Sequence, residues 1–293
     1  MKKSYLVRAL SKEPALRGLA CVTTGLVDEA RHLHETSPVA TAALGHGLTA
    51  AALLGALLKV QQRVALKVEG DGPLQKMVVE SDSYGHIRGY VAVPDVALPP
   101  PFDGAAVVQA LGRQGVLTVV KDLQLKHLYE GVVPLQGGEL DQELAHYFAQ
   151  SEQIPSLVEI GVRVDEAGEV VAAGGLLIQP MPEQDPGVLE AVANRLDDLP
   201  PVEDCLAAGD TPESLLATLF GPIEYEILET RDLEYRCTCS WERSRKALLA
   251  LGRDELKSLM QEGQAVIDCH FCHQQYVFGP EELETILEEL EAQ

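Results

Sequence analysis

Four of the six cysteines in this 293-residue chain stand in two close pairs. Cys237 and Cys239 form a Cys-x-Cys motif, and Cys269 and Cys272 form a Cys-x-x-Cys motif after residues 240–268. Thiolate sulfur is a favoured zinc ligand, and four thiolates complete the tetrahedral shell of a structural zinc site. Because structural disulfides are rare in a reducing cytoplasm, the spacing predicts one zinc ion bound by all four cysteines.

Other possible ligands give weaker signals. Next to the second motif, His270 and His273 could replace a cysteine as zinc ligands, but four thiolates already suffice. Four more candidates have no partner cluster at metal-binding spacing: Cys21, Cys205, His32 and His34. The two histidines are expected at the surface. The two cysteines are predicted to be ordinary thiols, the second of them open to oxidation if its segment unfolds.

The residues around the cysteine motifs predict a small domain that depends on its metal. Too few residues follow Asp232 to build a strong core unaided. A strand at 276–278 and a helix at Pro280–Glu291 are predicted beside the second motif. Bound zinc contributes about 10–16 kcal/mol of apparent folding free energy in small modules, comparable to the 5–15 kcal/mol or so that stabilises a whole domain. We therefore predict a zinc-binding domain at 233–293 that unfolds when the metal is lost.

The overall charge argues against polyanionic partners. With 45 acidic and 23 basic residues, the chain has a formal net charge of -22 at pH 7. Such a surface repels phosphate groups, so a general binder of nucleic acid or of anionic membranes is disfavoured.

The acidic charge is concentrated at 181–232, where thirteen acidic residues face only two basic ones and six prolines occur. This composition predicts a linker between two domains. The spacing of Leu189, Val192 and Leu196 predicts a short amphipathic helix with Asp185 as its N-cap, and a second is predicted at 211–220. Short, acidic helices are marginal in water, so these must pack on a neighbour.

The first 180 residues are predicted to mix helices and sheets. Residues 39–58 are uncharged and long enough to cross a bilayer, but alanine and glycine dominate them, so a buried core helix is predicted. Alternating patterns predict strands at 64–68, 77–80, 86–93, 116–120, 157–164 and 170–178, and a helix is predicted at 140–150. The predicted fold class is α+β: an N-terminal domain of β-sheets covered by helices (1–180), a helical acidic linker (181–232) and a small C-terminal zinc-binding domain (233–293).

Several function classes are disfavoured by what the motifs lack. Gly45, Gly47 and Ala50 match the dinucleotide-binding pattern G-x-G-x-x-A, but helical residues precede them where that motif needs a strand, so helix packing is expected. The chain has no Walker motif. No pair of a nucleophile and a general base is recognisable in the first 180 residues, so no enzyme is predicted and no catalytic residue is assigned. Arg8 interrupts the N-terminus before any run of signal-peptide length, so a cytoplasmic location is expected.

One alternative function stays open. A basic patch lies between the two cysteine motifs, where zinc-ribbon proteins that bind nucleic acid often carry theirs: Arg243, Arg245, Lys246, Arg253 and Lys257. No aromatic residues are interleaved with these side chains, so a solvated helix face is favoured over a nucleic-acid interface.

Along its whole length the chain resembles the redox-regulated molecular chaperones of the 33-kDa heat-shock protein family. The matching stretches are GDGPL at 70–74, HIRGYVAVP at 86–94, YFAQSEQIPS at 147–156, AAGGLLIQPMP at 172–182, and CTCS at 237–240 with CHFC at 269–272 and the following QYVF. The cysteine spacing is the most specific of these. The resemblance implies an ATP-independent holdase, reduced and zinc-bound when idle, that oxidative stress activates in the cytoplasm to bind unfolding client proteins.

The resemblance further implies that oxidation releases the zinc, pairs Cys237 with Cys239 and Cys269 with Cys272, melts the linker to expose client-binding surface, and associates the chains into homodimers. The chemistry of the residues agrees, because thiolates react with peroxide and the resulting sulfenic acid condenses with a neighbouring thiol. Closing the short loop of the second motif costs less entropy than bridging the two motifs. The pair in the first motif requires a bent chain, so that disulfide is expected to be strained and readily reduced.

Overall fold

The computed structural model describes residues 3–182 and 186–291, and these form two compact units that divide between Arg236 and Cys237. Two β-sheets with helices packed on and between them make up the first unit, and helices with a β-hairpin make up the second. The α+β class predicted from the sequence is confirmed.

The elements of the first unit follow the predicted order over much of its length. They are β1 (Tyr5–Ser11), β2 (Leu16–Val22), α1 (Thr24–His34), α2 (Pro38–Ala56), β3 (Arg63–Gly70), β4 (Lys76–Asp82), β5 (His86–Val91), α3 (Gly104–Leu111), β6 (Gly115–Asp122), β7 (Tyr129–Pro134), α4 (Leu140–Tyr147), β8 (Leu157–Val164), β9 (Val170–Pro180), α5 (Glu190–Asp197), α6 (Val202–Ala208), α7 (Pro212–Phe220), β10 (Tyr225–Asp232) and β11 (Glu234–Tyr235). A π-helical turn at Phe148–Glu152 extends α4, and a 3-10 turn at Pro186–Leu189 precedes α5.

The strands build two sheets of different composition. Sheet A has the order β10-β1-β2-β9-β8 and is antiparallel throughout. Sheet B has the order β11-β5-β4-β3-β6-β7, and its one parallel pair is β11 with β5. Each strand predicted in the first 180 residues corresponds to a strand of these sheets, although the one predicted at 86–93 ends at Val91. Strands β1, β2, β7, β10 and β11 are additional to the prediction.

Helix α2 is the buried core helix that the sequence predicts. It contacts strands of both sheets, and every residue from Val39 to Ala56 is buried. Ser37 caps its N-terminus by accepting the N–H of Ala40, and Pro38 occupies the first turn, where its missing N–H costs nothing. Although it is long and apolar enough to cross a membrane, its most apolar window is entirely buried within the protein. The G-x-G-x-x-A pattern falls inside this helix and forms no loop.

Sheet A presents one face to α2 and the opposite face to α5, α6 and α7. Because side chains alternate along a strand, Leu6 and Leu19 join the core around α2, whereas Val7 and Ala20 pack beneath the three helices. The two helices predicted in residues 181–232 are present as α5 and α7. Asp185, predicted as an N-cap, lies outside the described residues.

Two glycines of sheet A allow these helices to approach closely. A Cβ atom at Gly18 would lie 2.8 Å from the ring of Phe220 at the end of α7. A Cβ atom at Gly174 would lie 2.4 Å from a methyl group of Leu206 in α6. Real Cβ contacts are longer than this, so side chains at either position would push the helices outward.

The sequence predicts a helical acidic segment, but its last residues instead form β10 at the edge of sheet A. In the antiparallel pairing with β1, Arg8 lies opposite Glu229. Lys12 forms an ion pair with Glu226 at 3.5 Å. Basic residues from the N-terminus thus offset acidic charge that looks uncompensated when the segment is counted alone.

A short segment at 233–236, here called the strap, crosses from sheet A to sheet B. The buried side chain of Leu233 joins the core around α2, and its N–H donates to the carbonyl of Ser4. The hydroxyl of Tyr235 donates to the carbonyl of Gly89 at 2.8 Å and lies 2.9 Å from Nε2 of His34. The prediction of a surface position for His34 is therefore wrong, since the strap buries it.

The second unit contains α8 (Trp241–Leu251), α9 (Arg253–Glu262), β12 (Ala265–Asp268), β13 (Gln275–Phe278) and α10 (Pro280–Glu291). Strands β12 and β13 form an antiparallel hairpin. The predicted strand and the predicted last helix are present. Six buried apolar residues make its core: Leu248, Leu256, Ala265, Phe278, Leu283 and Ile286. So small a cluster fits a unit that needs help beyond its core.

Candidate metal centre

The four paired cysteines converge on one point. Their Sγ atoms all lie within 4.8 Å of one another, and the four side chains are half-buried. The Sγ atoms of Cys239 and Cys272 are 3.3 Å apart, and those of Cys237 and Cys269 are 3.6 Å apart. Within residues 3–182 and 186–291, this is the one group of three or more ligand side chains at such distances.

This geometry fits a tetrahedral thiolate-bound ion. Four sulfurs about 2.3 Å from a central zinc would stand about 3.8 Å from one another. The two S···S separations lie close to that spacing and well beyond the roughly 2.05 Å of a disulfide. Burial raises the pKa of Cys269 and of Cys272. Hydrogen bonds with neighbouring thiols raise the pKa of Cys272 further, whereas backbone N–H groups lower both pKa values. A soft cation removes this penalty because it stabilises the deprotonated sulfurs.

The first motif is held by the start of helix α8. Ser240, the residue after Cys239, is the N-cap and accepts the N–H of Arg243. The guanidinium of Arg243 reaches back and donates to the carbonyl and the hydroxyl oxygen of Thr238, at 2.9 and 2.7 Å. The residue between the two cysteines is thus fixed from the first turn of α8.

The second motif forms the turn between β12 and β13. The carbonyl of Cys269 accepts the N–H groups of Cys272 and His273, and the N–H of Cys269 donates to the carbonyl of Gln274. His273 adopts the left-handed conformation with φ of 55°, which lets the chain reverse after the second cysteine. A metal knuckle needs this kind of tight turn to aim two sulfurs at one point.

The other candidate ligands lie apart from this group. His270 and His273 are not members of it although they flank Cys272 in sequence. Cys21 is buried in the first unit, and burial raises its pKa to about 12. Cys205 in α6 is also buried, with its Sγ 3.4 Å from the carbonyl of Pro200. The structure therefore brings together the four predicted ligands, whereas Cys21 and Cys205 lie outside the cluster, as predicted.

Part of the basic patch is engaged inside the second unit. As described above, Arg243 binds Thr238. Arg245 forms an ion pair with Glu289 of α10. These two guanidinium groups are directed at the protein itself rather than arrayed for phosphate groups.

Sequence reasoning missed two side chains that touch the first motif. One is Arg243, assigned only to a solvated helix face. The other is Tyr276, whose hydroxyl lies 3.1 Å from the Sγ of Cys239. The available signal was the position of this tyrosine four residues after Cys272, but its direction depends on the β12–β13 pairing.

Comparison with known proteins gives consistent matches over nearly the whole chain. Residues 4–279 match the family described as Hsp33 protein. A 33 kDa chaperonin of Citrifermentans bemidjiense is 46% identical over 290 residues, covering 99% of this chain and 98% of that protein. The 33 kDa chaperonin of Geobacter sulfurreducens is 48% identical over 289 residues, covering 98% and 96%. The crystal structure of the 33 kDa chaperonin from Thermotoga maritima superposes with a TM-score of 0.87 at 36% identity and full coverage of both chains.

Proposed function

This chain belongs to the Hsp33 family of chaperones, and from that premise we propose that it is a redox-regulated, ATP-independent holdase of the cytoplasm. As a member of the family it is a chaperone rather than an enzyme, and its partners are unfolded proteins. The observation that carries the proposal is the convergence of four cysteine sulfurs within 4.8 Å in a small unit of its own.

In the idle form we assign one zinc ion to Cys237, Cys239, Cys269 and Cys272. When bound, zinc supplies a charge that keeps the four sulfurs as thiolates and ties the two motifs together. The assignment is supported by the fit of the S···S distances to a tetrahedral site and by the all-sulfur donor set, which favours zinc over harder cations.

Activation is a thiol oxidation. A thiolate sulfur attacks one oxygen of hydrogen peroxide, the O–O bond breaks, and a sulfenic acid and hydroxide form. A second thiolate then attacks the sulfenic sulfur, a disulfide forms, and a second hydroxide leaves. Two peroxide molecules convert the four thiolates into two disulfides. We assign these to Cys237 with Cys239 and to Cys269 with Cys272, the pairing that the family resemblance implies. For the second pair, closing the short loop also costs less entropy than bridging the two motifs once the unit has opened.

The client-binding surface is proposed to be the face of sheet A beneath α5, α6 and α7. This face carries apolar side chains that the three helices now bury: Val7, Ala9, Leu16, Ala20, Leu176 and Ile178. Undocking of the helices would expose a contiguous apolar area, which is what binding of unfolded chains requires. The oxidised chain is proposed to associate into homodimers, with neither nucleic acid, nucleotide nor membrane as a partner.

A direct test measures metal content and chaperone activity in parallel. The reduced protein should contain one zinc per chain and fail to suppress aggregation of a chemically unfolded client. Peroxide should release the zinc and start suppression without added ATP, and thiol reductant with zinc should reverse both. If aggregation were suppressed equally before and after zinc release, the redox regulation would be wrong. Binding to oligonucleotides at low salt, with no effect on aggregation, would instead favour the zinc-ribbon alternative.

Docking of the acidic segment is expected to depend on pH through Glu159 in β8. Its Oε1 accepts the N–H of Val202, the first residue of α6, at 3.1 Å. Burial raises the pKa of Glu159 to about 7, and the charges of Glu203, Asp141 and Asp197 add to the effect. The docked state therefore favours the protonated carboxyl. This contribution is fully present below the ordinary pKa of 4.5 and is lost as pH rises through about 7.

We expect Glu159→Gln to remove this dependence, because the amide accepts the same hydrogen bond without a charge. In the reduced protein, the variant should unfold at a higher temperature than wild type at pH 8 and at nearly the same temperature at pH 5, measured by calorimetry. Glu166→Gln, in the exposed turn between β8 and β9, is the charge-matched control and should give no such divergence. An equal rise in unfolding temperature at pH 5 and pH 8 would contradict the assignment of the pH dependence to Glu159.

A further inference from the structure

Three of the four sulfurs, those of Cys239, Cys269 and Cys272, accept hydrogen bonds from donors of two kinds. The Sγ of Cys269 receives the backbone N–H groups of Phe271 and Cys272, and the Sγ of Cys272 receives that of Gln274. The knuckle turn supplies these donors whatever its side chains are, so substitution there leaves them in place. The Sγ of Cys239 differs, because its donor is the side-chain hydroxyl of Tyr276.

Both residues of the Tyr276–Cys239 contact are held in place by the elements around them. Tyr276 lies in β13 opposite Ile267 of β12, and its ring packs against the core of the second unit. Cys239 is held between Thr238, bound by the guanidinium of Arg243, and the N-cap of α8. The Oη···Sγ distance of 3.1 Å joins two well-positioned groups. A thiolate has no proton, so the phenol donates and the sulfur accepts.

We propose that Tyr276 is a positioning residue that sets the reactivity of Cys239 in the redox switch. A hydrogen bond to a thiolate withdraws electron density from the sulfur lone pair, so the sulfur attacks an electrophile more slowly and donates less charge to a bound metal. This inference rests on the proposed function, since it concerns the same four cysteines. The inference adds a residue other than the four cysteines that controls how fast the switch reacts with an oxidant.

The test compares Tyr276→Phe with wild type in the reduced, zinc-loaded full-length chain. Each cysteine is alkylated with iodoacetamide, in which the sulfur displaces iodide and forms a C–S bond, and the rate at each site is read by peptide mass spectrometry. We expect the rate at Cys239 to rise about fivefold relative to Cys269, the equivalent of one net hydrogen bond of about 1 kcal/mol. Thr285→Val removes a hydroxyl that bonds Glu281 in the same unit and should leave the ratio unchanged.

Cobalt provides a readout that loss of packing alone would not give. In the cobalt-substituted chain, removal of the donor should move the sulfur-to-metal charge-transfer band to longer wavelength, because the sulfur lone pair rises in energy. A selective change at Cys239 with this shift supports the proposal. An unchanged ratio, or an equal acceleration at all four cysteines, would overturn it.

The outcomes also separate this inference from the proposed function. If wild type carried no tightly bound metal, or if peroxide released none, the proposed function would fail whatever the alkylation ratio. The ratio between Cys239 and Cys269 is measured within one sample. It therefore reports on the hydrogen bond of Tyr276 independently of client binding.

Discussion

Cys239→Ser should abolish tight metal binding and unfold the second unit under reducing conditions. A serine hydroxyl stays protonated at neutral pH and is a poor ligand, so three thiolates would leave the tetrahedral site open. Substitution of a residue that only hydrogen-bonds to a metal ligand lowers metal affinity about 10- to 100-fold. Substitution of a ligand itself should lower the affinity more. The apolar core of this unit is too small to replace the metal's contribution.

Metal analysis after dialysis against a competing chelator measures the loss, and limited proteolysis of residues 237–291 measures the unfolding. Cys205→Ser is the matched control, because it changes a cysteine outside the cluster and its hydroxyl can still donate to the carbonyl of Pro200. The control should keep one zinc per chain. If Cys239→Ser kept one tightly held zinc and the parent's protease resistance, the four-cysteine site would be the wrong interpretation.

Peroxide should open the acidic segment as well as the cysteine unit. We expect amide hydrogen exchange to rise first in residues 237–291 and then in 186–232, by about tenfold or more, while the central strands of both sheets stay protected. The physical reason is that short helices with a high density of acidic residues repel themselves, so packing on sheet A must offset that cost. Thiol reductant and zinc together should reverse both changes.

A docking variant separates the two steps of this response. Phe220→Ala removes a fully buried ring that packs on Gly18, at an expected cost of about 3–5 kcal/mol. It should raise exchange in 186–232 while zinc content stays at one per chain. If peroxide raised exchange in the cysteine unit alone, with the acidic segment as protected as before, the coupling would be wrong and the zinc site would be merely structural.

The sequence predicts best the elements whose signals are local. Helix α2 follows from an uncharged stretch of alanine and glycine, and β4 and β5 follow from alternation on either side of a turn. The cysteine cluster also follows from spacing, because the ligands of a knuckle lie close together in sequence.

Features that depend on contacts between residues far apart in the sequence could not be predicted in this way. β10 carries acidic residues in an acidic segment, and its pairing is favoured by Arg8 of β1 and by Lys12 just after β1, near the other end of the chain. The contact of Tyr276 with Cys239 requires the register of a hairpin together with the start of a helix. Only two residues of the strap pair with β5, in parallel and with no sequence pattern of their own, yet the strap decides the burial of His34.

The strap and β10 lie in the chain between the cysteines and the docked helices, and this order has a consequence for timing. A disturbance that travels along the backbone from Cys237 first meets the bonds of Tyr235 and Leu233, then the pairing of β10 with β1, and only then α7. If the proposed undocking follows this order, each set of bonds breaks before the next, and we expect exposure of the apolar face to lag behind loss of the metal. We then expect a pulse of oxidant that ends while β10 is still paired with β1 to leave the helices docked, so that only sustained oxidation activates the chain.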